Sequence, residues 1–146
     1  MKKSISLIAL TILILSLSGC EKSKTLICTK NLNSQGATIE NTNTVKFKDK
    51  KLKNMVLEYN YTLDEEYIKN ATSIKESIDK QFSEYTQYNG IKYSSQLNDK
   101  QDKISYKIEI DINKISNEAK EKLNISGDES YEANKKSLEE VGYICR

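Results

Sequence analysis

Ile104-Ser105-Tyr106-Lys107-Ile108-Glu109-Ile110-Asp111-Ile112 is the stretch that decides the fold. Its even positions are apolar and its odd positions polar, the period of two that a β-strand shows when one face is buried and the other meets water. Antiparallel sheets allow such one-sided solvation, whereas parallel sheets are covered on both faces. The flanking sequence fits the same sheet. Ile91, Tyr93, Ser95 and Leu97 alternate with Lys92, Ser94 and Gln96, and the polar turn from Asn98 to Asp102 joins them to the central stretch.

Further upstream, Thr25 to Asn31 reads as a first strand and Ser34-Gln35-Gly36 as a turn. Ala37 to Lys48 is rich in β-branched residues, with Ile39, Val45 and Phe47 on one parity. Lys48-Asp49-Lys50-Lys51 makes a hairpin connection to a third strand, in which Met55, Leu57, Tyr59 and Tyr61 alternate with Val56, Glu58, Asn60 and Thr62. The period then changes. Ile68, Ala71, Ile74, Ile78, Phe82 and Tyr85 recur every three or four residues, which predicts one long helix. Thr62-Leu63-Asp64-Glu65 resembles its capping box, and Asn89-Gly90 is its stop after Tyr88. A short helix is expected over Ser116 to Leu123 and a final one from about Ser130 to Val141, ended by Gly142. The order predicts an α+β fold: an antiparallel sheet of about five strands, with one long and one or two short helices packed on one face.

The amino terminus carries an address. Lys2 and Lys3 precede Ile5 to Leu17, an uncharged apolar run that is too short for the roughly 20 residues a spanning helix needs. A basic start and a short apolar run read as a secretory signal. Leu17-Ser18-Gly19-Cys20 follows and looks like a bacterial lipobox, cut between Gly19 and Cys20. Small residues at 18 and 19 let the extended chain enter a protease, and the Cys20 thiol is the group that can carry thioether-linked diacylglycerol. Residues 1–19 are thus expected to be a signal peptide, 20–24 a lipidated tether, and 25–146 one α+β domain. The implied location is the extracytoplasmic face of the cell membrane, held by a lipid anchor.

Charge and cysteines follow from this cut. The chain has 23 basic and 21 acidic side chains, and loss of Lys2 and Lys3 leaves 21 of each. A neutral mature chain lacks the basic excess that nucleic acid demands. Export allows disulfides, and with Cys20 lipidated an even pair remains, Cys28 and Cys145. A bridge between them closes a loop spanning almost the whole domain, stabilising it by about 4–5 kcal/mol on a chain-entropy argument. Two independent free thiols are the alternative.

The lipobox, a domain of this size and three short segments together resemble the YehR-like family of small bacterial lipoproteins. The segments are Tyr88-Asn89-Gly90-Ile91 at the helix end, Ile110-Asp111-Ile112-Asn113-Lys114-Ile115 closing the alternating strand, and Leu138-Glu139-Glu140-Val141-Gly142-Tyr143 near the terminus. The resemblance implies a compact α+β lipoprotein domain and brings no catalytic residue.

Chemistry is sparse. Histidine is absent, which removes Ser-His-Asp and Cys-His nucleophile systems and the commonest zinc ligand. Five glycines form no phosphate loop. No cofactor or metal is therefore expected. Glu109 and Asp111 share the polar face of one strand, but Lys107 beside them suits a solvated mixed-charge face. Asp64-Glu65-Glu66 suits the positive end of a helix dipole. Lys46, Lys48, Lys50, Lys51 and Lys53 belong to a segment, Lys22 to Lys53, whose eight lysines meet only Glu40 and Asp49. Beside a short lipid tether they could rest on anionic headgroups. Equally, they could keep a hairpin soluble and blunt an edge strand.

Tyr59, Tyr61, Tyr67, Tyr85, Tyr88, Tyr93 and Tyr106 could line a ligand pocket or sit at core edges with their hydroxyls in water. The sequence thus favours a monomeric, non-catalytic interaction or accessory domain whose partners are the membrane and an envelope protein or wall polymer. A small-ligand carrier with a tyrosine-lined pocket comes next, and a carboxylate-based glycan hydrolase last.

Overall fold

The computed structural model describes residues 22–125 and 130–146. The expected signal peptide and the expected cleavage and lipidation residues Gly19 and Cys20 lie outside the described residues. Six strands form one antiparallel sheet: β1 (Ser23–Ser34), β2 (Ala37–Lys48), β3 (Lys51–Leu63), β4 (Ile91–Leu97), β5 (Lys103–Asp111) and β6 (Ile144–Cys145). Their spatial order is β4-β5-β3-β2-β1-β6. Among the described residues there are four α-helices, α1 (Glu65–Ile68), α2 (Ala71–Ser83), α3 (Asn117–Lys122) and α4 (Tyr131–Glu140), with a 3-10 turn at Glu84–Gln87.

The alternating stretch is β5, and its parity sets the faces. Ile104, Tyr106, Ile108 and Ile110 are buried, and the register carries that face across the sheet. Ile110 pairs with Met55 and Ile91, Met55 with Val45, and Val45 with Leu26, so one apolar row crosses five strands. Phe82 of α2, Ala119 of α3 and Leu138 of α4 close over this face. On the opposite face Thr38, Glu40, Lys46, Asn60, Ser94 and Ser105 are exposed. The two-layer α+β class is as the pattern predicts.

Several details differ. The sheet begins at Ser23, because Ser23 and Lys24 already pair with Lys48 and Phe47, so the expected tether boundary at 24 falls inside a strand. A sixth strand arises from the expected tail, where Cys145 pairs with Cys28 and Ile144 with Thr29. In β3 the register shifts at Lys46/Phe47: Lys46 faces Asn54 while Phe47 faces Leu52, leaving Lys53 as the extra residue. A bulge of one residue reverses parity. It therefore brings Leu52 onto the same face as Met55.

The single long helix is instead two. Thr62 and Leu63 stay in β3, so the expected capping box does not form, and Asp64 caps α1 without a side-chain hydrogen bond. The chain breaks at Lys69 and Asn70, and α2 restarts with Ile74 N donating to Asn70 O at 2.9 Å. Asparagine favours helix starts over helix interiors, and the restart seats the fully buried Ala71 against the sheet. All six predicted apolar positions still belong to the core clusters. Both later helices begin on serine caps, Ser116 Oγ accepting from Ala119 N and Ser130 Oγ from Ala133 N, each at 3.2 Å.

One polar cluster fastens α2 to the edge strand. Asp79 accepts from Tyr93 Oη at 2.7 Å and Ser95 Oγ at 2.6 Å, and pairs with Lys75 Nζ at 2.6 Å. Desolvation opposes ionisation of Asp79, but the hydrogen bonds from Lys75, Ser95 and Tyr93 outweigh it and hold its carboxyl below the usual range. A carboxylate with a lowered folded pKa stabilises fully above its unfolded value of about 3.8, and less as pH falls through the folded value. The stability gap between the native chain and Asp79→Asn should therefore be constant from neutral pH to about pH 5 and shrink below pH 4. Urea titrations across that range measure it, and an equal gap at pH 3 contradicts the assignment.

Cys28 and Cys145 are joined, with their Cα atoms 4.1 Å apart and Cys28 fully buried. The bridge fastens β6 to β1, alongside reciprocal hydrogen bonds between Ile27 and Arg146. Replacing both cysteines by alanine should cost about 2–5 kcal/mol of unfolding free energy. It should also speed amide exchange in β6 and α4 ahead of β5, and equal exchange throughout would show that the bridge does not hold the carboxyl-terminal elements.

Candidate functional site

The lysine hairpin and the start of the described chain meet at one end of the sheet. Ser23 pairs with Lys48, Lys48 with Lys51, and Asp49 N donates to Lys22 O at 3.3 Å. Residues 22 to 24 are therefore strapped along the hairpin tip. Lys46, Lys48, Lys50 and Lys51 are exposed, and Lys53 is half-buried with Nζ 3.4 Å from Asn113 Oδ1. Lys46 points to the open face, where it shares a cavity of about 640 Å³ with Glu109 and Asp111. Lys24 has the parity of Phe47 and faces the helix side.

The turn itself is unusual in composition. Asp49 and Lys50 have φ of 52° and 65°, both left-handed. Two-residue hairpin loops of this hand favour Asn-Gly or Asp-Gly, because a side chain in the left-handed region is strained.

Beside the turn, between β1, the hairpin and the start of α4, lies a second cavity of about 530 Å³. Phe47 and Tyr131 form its aromatic wall, edge to face with centroids 5.6 Å apart. Lys22, Lys24 and Lys50 also line it, and Lys24 Nζ sits 4.8 Å from the centre of the Tyr131 ring. Asp49 and Glu132 also reach the rim.

The tyrosines spend their rings on one another. Tyr59 stacks on Tyr106 at 4.8 Å and Tyr61 at 5.6 Å, while Phe82 stacks on Tyr93 at 5.7 Å. Tyr61 Oη and Tyr106 Oη are 3.1 Å apart. Burial first, then the Tyr61 hydroxyl, pushes Tyr106 well above the usual tyrosine range. Burial and then the Asp79 hydrogen bond push Tyr93 up to about 12. Such groups stay protonated through the neutral range. Tyr67 lies against Gly36, whose φ of 88° makes the first hairpin turn and whose missing Cβ would stand 2.6 Å from the ring. Tyr85 and Tyr88 lie against the main core cluster. Tyr88 also lines the cavity of about 640 Å³, and Tyr106 one of about 240 Å³.

The carboxylates are matched by lysines. Glu109 pairs with Lys107 at 3.1 Å and Asp111 with Lys114 at 2.9 Å. The Lys114 hydrogen bond is the chief reason that the Asp111 carboxyl lies below its ordinary range. Among the described residues no three His, Cys, Asp or Glu side chains group to hold a metal, and no helix is long and apolar enough to cross a membrane.

Sequence reasoning missed Lys22, Lys24 and Tyr131 at the aromatic cavity, since their meeting depends on a contact between opposite ends of the chain. It also missed Asn41 and Asn43, which take the core-facing parity of β2 and are 7% and 8% exposed. Among the described residues Asn41 Oδ1 has no hydrogen-bond partner. That parity was readable in the alternation of Ile39, Val45 and Phe47.

No family model matches this chain, and no curated protein does. It is similar to a solved structure, an NMR structure of a protein from Streptococcus pneumoniae TIGR4. The TM-score is 0.57 at 13% identity, over 100% of this chain and 98% of that one. A likeness at that identity is one of fold.

Proposed function

We propose that this chain is a bacterial envelope lipoprotein of the YehR-like kind, cut before Cys20, acylated there, and held at the extracytoplasmic face of the cell membrane. Its domain acts as a monomeric, non-catalytic interaction or accessory module. The observation that carries this reading is the strap between Lys22 and the hairpin tip, closed by the Asp49 to Lys22 hydrogen bond. Cys20 is two residues before Lys22, so a lipid on it would lie within about 7 Å of Lys22 at full extension, at the same end of the sheet as Lys48, Lys50 and Lys51. Each lysine near an anionic leaflet adds about 1 kcal/mol of attraction. Anchor and basic tip would act on one end of the molecule.

The other end would then stand clear of the lipid. β1 and β2 each run for 12 residues, about 40 Å, so the turn at Gln35 and Gly36 lies far from the lysine tip. The open polar face between the two ends is available to an envelope protein or wall polymer. The pairing of Glu109 with Lys107 and of Asp111 with Lys114 on that face supports binding as its role.

Mass spectrometry of the protein purified from its own envelope tests the anchor. The expected amino terminus is Cys20 bearing diacylglycerol, and Cys20→Ser should accumulate as uncut precursor. A mature chain starting elsewhere without fatty acid would overturn the reading.

A further inference from the structure

We infer that the cavity between Phe47, Tyr131 and the lysine turn is a seat for the headgroup of a monoanionic phospholipid. The inference rests on the membrane-anchored reading for its orientation, but its chemistry stands on the cavity itself. A volume of about 530 Å³ with a mostly apolar wall admits a glycerophosphate and the first methylenes of its chains. Phe47 and Tyr131 supply the wall, and tyrosine favours the boundary where headgroup meets hydrocarbon.

Charge chooses the ligand. Lys22, Lys24 and Lys50 oppose Asp49 and Glu132, a balance of one positive charge. One phosphodiester matches that balance, whereas a nucleotide or polyphosphate would leave negative charge uncompensated. The Lys24 ammonium is held over the Tyr131 ring, which brings a cation against the aromatic wall of the cavity.

The turn gives a handle on the seat. Lys50 occupies a left-handed position, φ 65°, which a two-residue hairpin imposes and where glycine would be relaxed. Here the side chain lines the cavity.

That strain also yields a test in which loss of fold and loss of binding run in opposite directions. The full chain, as its host processes it, is mixed with vesicles of phosphatidylcholine alone or of phosphatidylcholine with phosphatidylglycerol. Lysine accessibility is read by amine labelling and mass spectrometry. Lys22, Lys24 and Lys50 should be labelled several-fold more slowly with phosphatidylglycerol, while Lys69 and Lys75 are labelled equally in both. In Lys50→Gly the protection of Lys22 and Lys24 should fall several-fold although the thermal midpoint does not drop. Tyr131→Ser should lose it too.

Equal labelling in both vesicles overturns the seat. So does protection that survives both substitutions, which would mean general attraction of the basic tip. Monomeric dihexanoylphosphatidylglycerol, against its phosphatidylcholine counterpart, repeats the measurement without any bilayer. A chain that lacks fatty acid at Cys20 yet shows the protection there refutes the anchor and keeps the seat. An anchored chain that shows none does the reverse.

Discussion

The two hydrogen-bonded edges of β1 hold the molecule together. One edge pairs with β2 over its whole length, from Ser23 with Lys48 to Ser34 with Ala37. The other receives the last residues of the chain, with Cys28 and Cys145 bridged at the same register position. Both ends of the domain are thereby tied to one strand. The entropy of the unfolded chain falls because the bridge closes a very long loop. A buried disulfide between the first and last strands also fixes where α4 can lie, since Val141 O accepts from Lys30 Nζ of β1 at 2.6 Å. The position of Tyr131 at the far end of α4 follows from that anchorage.

The helices divide the sheet between them. α2 lies over β4 and β5, and α4 over β1 and β6. Between them the aromatic rings of Tyr59, Tyr61 and Tyr106 cover the middle strands. Aromatic pairs of this geometry contribute about 0.5–1.5 kcal/mol beyond the area they bury. A domain with no tryptophan and two phenylalanines needs such contacts, because tyrosine is its main bulky ring. The hydroxyls then need partners, and Tyr61 with Tyr106, and Tyr93 with Asp79, provide them. Tyr59, Tyr61, Tyr93 and Tyr106 thus help to close the helix side of the sheet.

What the sequence reveals and what it hides divide along contact range. The alternation from Ile104 to Ile112 and the helical spacing from Ile68 to Tyr85 are local, and both faces are as expected. The bulge at Lys53 is not local: it arises because Leu52 and Met55 must both reach the core beside Phe47 and Val45. The break at Asn70 has a local sign, a cap-favouring residue inside a helical pattern, but the apolar spacing runs through it unbroken. Two residues of β6 carry no strand signal of their own, and only the partner strand gives them one. The basic tip was legible as a charge run, while its junction with Lys22 and Tyr131 required the register of β1 and the placement of α4.

The arrangement of charge bears on how such a molecule would sit. Cut before Cys20 as proposed, the chain would have equal numbers of acids and bases and no net attraction to a charged surface, so what would matter is where the charges lie. Here the lysines gather at the hairpin tip, and the segment before Asn54 is basic while the rest is acidic. Screening limits a surface potential to about 8 Å at physiological salt, far less than the roughly 40 Å that β1 and β2 extend. Only the tip would feel an anionic leaflet, and the acidic remainder would lie beyond its repulsion. On the proposed anchoring, uneven charge on a neutral globule would therefore work as an orienting device: a lipid would set the distance, and the lysines would choose which end points down.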